Sequence, residues 1–232
     1  MSNTNEYSQM AKNTVSSKNQ MRFGTSIFID NMEGKGKRVL FAGNSITLHD
    51  RRPSIGWHLE CGMAASAPEK DYVHILKSRV SEKDDDAAFC VCQASGWETS
   101  YTTSEDPFSQ YEVARDFDAD IIVIRLIENC SLSVYDPCKF EESYKKLISY
   151  FNKSGNAKVI LTSGFWKHPG DEVIKKVALD LGFPYVYLGD LGEDDNMKAI
   201  GLFDHAGVAA HPGDKGMKAI ADRIWQHIEK HV

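Results

Sequence analysis

Four residues far apart in the chain carry the groups that acyl transfer needs: Ser45, Gly96, Asn129 and His211. Ester hydrolysis calls for a nucleophilic oxygen, a base to take its proton, and donors for the oxyanion that develops. Ser45 stands in "GNSIT", directly after the apolar run "RVLFA". It is the candidate nucleophile, with its own N–H turned into the site and Gly43 permitting a tight approach. Gly96, in "ASGWE", has no side chain and can present its backbone N–H, while Asn129, in "IENCS", offers a side-chain amide. Ser45, Gly96 and Asn129 thus supply three oxyanion donors, and losing one such donor typically lowers the rate by about 10² to 10³. His211, in "GVAAHPGDKGM", is the candidate base. Its ordinary pKa lies near neutrality, and Pro212 restricts it to an extended conformation and suits the first turn of the following helix.

These residues are useful only if the chain brings them to one place, and the hydrophobic pattern predicts that it does. Apolar strand-like runs at 38–42, 87–93, 119–126, 158–165 and 184–190 alternate with helical patterns at 68–80, 137–155, 171–182 and 212–230. Gly155 and Gly182 read as C-caps of the second and third helices. Continuous apolar strands separated by helices indicate a parallel sheet covered on both faces, hence a single three-layer α/β/α sandwich. In such sheets ligands bind outside the carboxyl ends of the strands, which is where "GNSIT", "ASGWE", "IENCS" and "GFWKHP" fall.

Composition narrows the partners. The 232 residues carry a formal net charge of −6, which argues against a general nucleic-acid binder, and no apolar run approaches a bilayer span. Residues 1–36 read as a polar lead-in to a domain at 37–232. "MSNTNEYSQMAKNTVSSKNQ" is too poor in apolar surface to order itself and lacks the apolar core of a secretory signal. Five cysteines without metal-like spacing suit a reducing compartment, so the expected location is cytoplasmic. Cys90 and Cys92 should share one face of a strand as buried thiols. No CxxC or HExxH pattern occurs, so no metal is expected, and the acyl-transfer chemistry requires no cofactor.

Taken together, "FAGNSIT", "CQASGWE", "RLIENCS" and "AAHPGDKGMKAIA" resemble, in order, four sequence blocks of the SGNH/GDSL hydrolase family, over residues 38 to about 230. The resemblance implies Ser45 as nucleophile, Gly96 and Asn129 as oxyanion donors and His211 as base. It also implies a flavodoxin-like sandwich with a five-stranded parallel sheet. Three positions depart from the family pattern. Asn44 precedes the serine where Asp is common. Ile127 stands two before the asparagine where Gly is usual, and its side chain is expected to crowd or reshape the pocket beside the oxyanion. Val208 occupies the place of the acid, three before the histidine. Loss of the acid from a serine-protease triad lowers kcat by about 10⁴, so another group must orient the imidazole. Asp204, Asp190, Glu128 and a main-chain carbonyl are the candidates.

The expected activity is therefore that of a serine esterase on a small or carbohydrate-linked acyl ester. Two other readings use the same fold: a catalytically weak or inactive carbohydrate-binding or scaffold module, and a flavodoxin-like nucleotide or flavin binder cradling phosphate in "GNSIT". Trp57, Trp97, Trp166 and His168 fall after strand ends or in the first connection, where rings serve sugar recognition and loop packing equally well. His49, His58 and His74 have no metal spacing. "EGKGKR" precedes its strand and lacks the Gly-Lys-Ser/Thr of a phosphate loop.

Overall fold

The computed structural model of the protein describes residues 20–23 and 26–232. Its sheet has seven strands: β1 (Gln20–Phe23), β2 (Ile27–Asp30), β3 (Arg38–Gly43), β4 (Ala88–Gln93), β5 (Ile121–Arg125), β6 (Lys158–Thr162) and β7 (Tyr185–Val186). The spatial order is β1-β2-β4-β3-β5-β6-β7, with β4 through β7 pairing in parallel and β1 and β2 antiparallel. The five parallel strands are those the sequence predicts. The antiparallel pair is an addition, because part of the expected lead-in joins the sheet. Ile27 and Ile29 alternate inward opposite Cys92 and Cys90, and both are buried. Residues 1–19 lie outside the described residues.

Strand residues sort by parity onto two faces, as a pleated sheet requires. Leu40, Ala42, Cys90, Cys92, Ile122, Ile124, Val159 and Leu161 pack into one core, and Val39, Phe41, Phe89, Val91, Ile121, Val123 and Ile160 into the other. The first core is roofed by α2 (Ser95–Ser100), α3 (Glu112–Asp116), α4 (Pro137–Phe151) and α5 (Gly170–Leu181). The second is roofed by α1 (Tyr72–Ser81) and α7 (Asp214–Ile228), while α6 (Ala206–Ala209) is a single turn ahead of His211. Cys90 and Cys92 are buried side by side, as their spacing predicts.

Helix ends follow local chemistry. Asp136 caps α4 by accepting from the N–H groups of Cys138 and Lys139, and Pro137 fits the first position, which needs no donor. Gly182 ends α5 in the left-handed region at φ 71°, as predicted. Two boundaries differ from the sequence reading. α4 stops at Asn152, and Gly155 serves the turn beyond it, donating its N–H to the Asn152 carbonyl. α7 starts at Asp214 with Gly213 as its N-cap, so Pro212 lies before the helix, in a bridge to Lys198. Among the described residues no helix is long and apolar enough to cross a membrane.

Candidate active site

β3 ends at Gly43, and the chain makes a tight turn in which the N–H groups of Thr47 and Leu48 both donate to the Asn44 carbonyl, at 2.9 and 3.0 Å. A Cβ at Gly43 would collide with Thr47 Oγ1, so only glycine fits this turn. Thr47 is held in turn by the Tyr72 hydroxyl of α1, at 2.7 Å. The Ser45 carbonyl accepts from Met63 N–H at 2.8 Å. Ser45 is thus pinned through its backbone, and its half-buried side chain faces outward at the strand end.

From the other end of the chain, α6 and the bridge of Lys198 to Pro212 carry His211 to the same edge. Its Nε2 lies 2.9 Å from Ser45 Oγ. Its Nδ1 lies 2.6 Å from the Gly207 carbonyl oxygen. A carbonyl only accepts, so Nδ1 carries the proton and Nε2 keeps its lone pair for the serine hydroxyl. Of the four candidates for orienting the imidazole, the main-chain carbonyl takes the place. Asp190 pairs with Arg223 at 2.6 and 2.7 Å, Glu128 pairs with Arg125, and Asp204 is exposed beside a separate cleft with Ser54 and Phe203. Val208 is buried in the second core. The Trp166 ring meets the imidazole edge-on, with centroids 4.9 Å apart. Burial lowers the His211 pKa to about 4, only partly offset by the Gly207 hydrogen bond, so the ring is neutral at ordinary pH.

Beneath the serine turn sits a buried polar network that joins all three strand ends. Asn44 donates from Nδ2 to Glu98 Oε1 at 3.0 Å and to Glu128 Oε2 at 2.6 Å. Its Oδ1 accepts from Arg125 Nη2. Arg125 Nη1 donates to Glu128 Oε1 at 2.5 Å. Glu98, on α2, accepts from Ile127 N–H at 2.6 Å and from Asn129 Nδ2 at 2.6 Å. Arg125 and Glu98 are at most 1% exposed, which makes this pairing decisive, although Arg125 Nε itself finds no partner among the described residues. Burial works to raise the Glu128 pKa, but the Arg125 charge and the hydrogen bonds from Phe165 N–H, Arg125 and Asn44 outweigh it and hold it down. Among the described residues Glu98 pairs with no cation, and burial together with the Glu128 charge pushes it up to about 7.

Asn129 is exposed, and its side-chain amide donates one N–H to Glu98. Gly96 lies at the second position of α2, where an N–H has no intrahelical acceptor. A Cβ there would come within 2.9 Å of the Tyr111 hydroxyl, which itself accepts from Trp97 N–H. Gly96 lines a cleft of about 270 Å³ with Ser26, His49, Asp50, Gln93, Ser95 and Gln110. Ile127 does not crowd the site: its side chain is fully buried and packs inward, where Gly164 and Gly170 make room for it. Trp57 and Trp97 are packing residues, both buried, donating through Nε1 to the His49 carbonyl and to Ser143 Oγ. His168 accepts from Gly170 N–H and donates to the Cys130 carbonyl. Among the described residues no cluster of His, Cys, Asp or Glu could hold a metal.

Sequence reasoning missed the roles of Glu98 and Arg125, and it foresaw a main-chain carbonyl behind His211 without naming Gly207 as its source. A signal existed for the arginine, a charge inside the apolar run "IIVIRL" followed closely by Glu128.

No protein-family model and no curated protein sequence matches the chain. Solved structures do. A two-domain esterase active on acetylated mannans superposes with TM-score 0.52 at 15% identity, covering 86% of this chain and 50% of its own. A family two carbohydrate esterase from Clostridium thermocellum gives TM-score 0.56 at 16% identity, covering 84% and 63%. A protein from Parabacteroides merdae described as a GDSL-like lipase gives TM-score 0.56 at 14% identity, covering 84% and 97%. The chain spans half to two-thirds of the length of the two carbohydrate esterases. Sheet order, strand-end placement and these superpositions agree that the chain has the SGNH/GDSL hydrolase fold.

Proposed function

We propose that the protein is a serine esterase acting on a short acyl ester of a polyhydroxylic alcohol. One observation carries the reading: Ser45 Oγ sits 2.9 Å from an imidazole nitrogen whose ring is fixed by a carbonyl on its far side. In the proposed mechanism His211 Nε2 takes the Ser45 proton as Oγ attacks the ester carbonyl. The N–H groups of Ser45 and Gly96 and the Asn129 amide hold the oxyanion. The tetrahedral species collapses to the acyl-enzyme as the imidazolium returns its proton to the leaving alcohol. Water, deprotonated by the same nitrogen, then releases the acid. The Gly207 carbonyl fixes the tautomer but supplies only a dipole to the imidazolium, so a rate below that of a full triad is expected.

The cleft beside Gly96 supports a carbohydrate-linked alcohol, because its lining offers hydroxyl, amide, imidazole and carboxylate groups. Fold neighbours that act on acetylated mannans or belong to carbohydrate esterase family two point the same way. Hydrolysis of p-nitrophenyl acetate tests the reading. Wild-type turnover should fall at least 10³-fold in Ser45→Ala, and turnover that survives the substitution sinks the assignment.

A further inference from the structure

Among the described residues, every hydrogen-bonding neighbour of Glu98 is a donor. Its two oxygens accept from Asn44 Nδ2 at 3.0 and 3.3 Å, from Ile127 N–H at 2.6 Å, and from Asn129 Nδ2 and N–H at 2.6 and 3.4 Å. A protonated Glu98 would turn its O–H toward one of these donors and find no acceptor there. The groups that fix its charge come from every packed element. Arg125 and Glu128 lie at the end of β5, and Cys130 on the segment that follows. Tyr111 lies on the turn before α3, and Tyr144 on α4. Burial pushes the thiol and both phenols above their ordinary values, so they stay neutral from pH 5 to 9. Arg125 is matched by Glu128, which leaves Glu98 as the group of this cluster that titrates near neutrality.

We propose that Glu98 is a positioning residue: its ionised carboxylate aims the Asn129 amide at the reacting ester and steadies Asn44 beneath Ser45, so that protonating it switches the enzyme off. The inference rests on the esterase reading. The acid limb of the reaction then belongs to Glu98 and not to the base, because burial already holds His211 neutral to about pH 4. Glu98→Gln keeps the size of the side chain and reproduces the protonated state at every pH.

The test is kcat for p-nitrophenyl acetate from pH 5 to 9 in the wild type, Glu98→Gln and Glu98→Asp. The wild type should show an acid limb near neutrality. Glu98→Gln should lose about 10² to 10³ in kcat at pH 8, with no limb above pH 6 and little change in KM. Glu98→Asp, which restores the charge, should regain part of the rate and a limb. A Glu98→Gln enzyme within threefold of wild type at pH 8, or one keeping the wild-type limb, overturns the proposal. A second measurement needs only the wild type. The side-chain amide resonances of Asn44 and Asn129 should shift together with a midpoint near neutrality, and amides that do not move between pH 5 and 9 overturn it equally. Ser45→Ala separates the two failures. Turnover that survives Ser45→Ala removes the esterase reading, while the amide titration still decides whether Glu98 controls Asn129.

Discussion

Replacing Asn44 by Asp, the residue common at this place in the family whose motifs the sequence resembles, should damage this protein. The amide of Asn44 lies between two carboxylates, donating to Glu98 at 3.0 Å and Glu128 at 2.6 Å while accepting from Arg125. The Asn44→Asp change would remove both donations and set three carboxylates against one guanidinium. At an effective dielectric of ~20, two unit charges 3 Å apart repel by about 5 kcal/mol, so the cluster will take up a proton instead. The penalty is then set by protonation. Holding protonated at pH 7.5 a carboxyl whose unfolded pKa is about 4 costs about 4 to 5 kcal/mol, and at pH 5.0 only about 1 to 2 kcal/mol. The sign follows from linkage: the folded variant binds one more proton than the unfolded chain, so its stability falls as pH rises above 4. Urea unfolding at both pH values, with Asn44→Ala as an uncharged control, measures this. The control loses donors and packing without a new charge, and its deficit should change little between the two conditions. An Asn44→Asp protein destabilised by under 1 kcal/mol at pH 7.5, or equally at both pH values, would refute the charge accounting.

Other substitutions probe the remaining parts. Val208→Asp restores an acid three residues before the histidine but buries it in the second core, while the Gly207 carbonyl already occupies His211 Nδ1. It should lower Tm by roughly 5 °C or more without raising kcat, as read by calorimetry and ester turnover. Trp166→Ala uncovers the imidazole edge. The His211 pKa, followed by the ring-proton NMR shift, should rise from its depressed value toward 6.5 as desolvation is relieved.

The parallel sheet was legible because its strands are buried on both faces and therefore read as nearly continuous apolar runs, as in "AAFCVC". Ser45 and His211 could be found because their segments follow or precede such elements at one sheet edge. The pair of β1 and β2 was obscured because both strands are only four residues long and follow on a polar stretch, and β2 finds its place in the sheet by pairing with β4 far along the chain. The group that orients His211 was hidden for a different reason. It is a backbone carbonyl, and any residue at 207 would supply one. The Glu98 network was hidden because charged residues scattered over three segments look solvated until the fold buries them together. Ile127 misled in the same way, since the space that Gly164 and Gly170 leave for it is a tertiary property.

The central claim is that His211 activates Ser45 as a nucleophile, and covalent trapping tests it most directly. Diisopropyl fluorophosphate reacts with activated serines, and intact-mass and peptide mass spectrometry show where. The expected result is one diisopropylphosphoryl group per chain, on Ser45, formed at least 10²-fold more slowly in His211→Ala. No adduct on the wild type, an adduct on another residue, or equal rates in the two proteins would contradict the account.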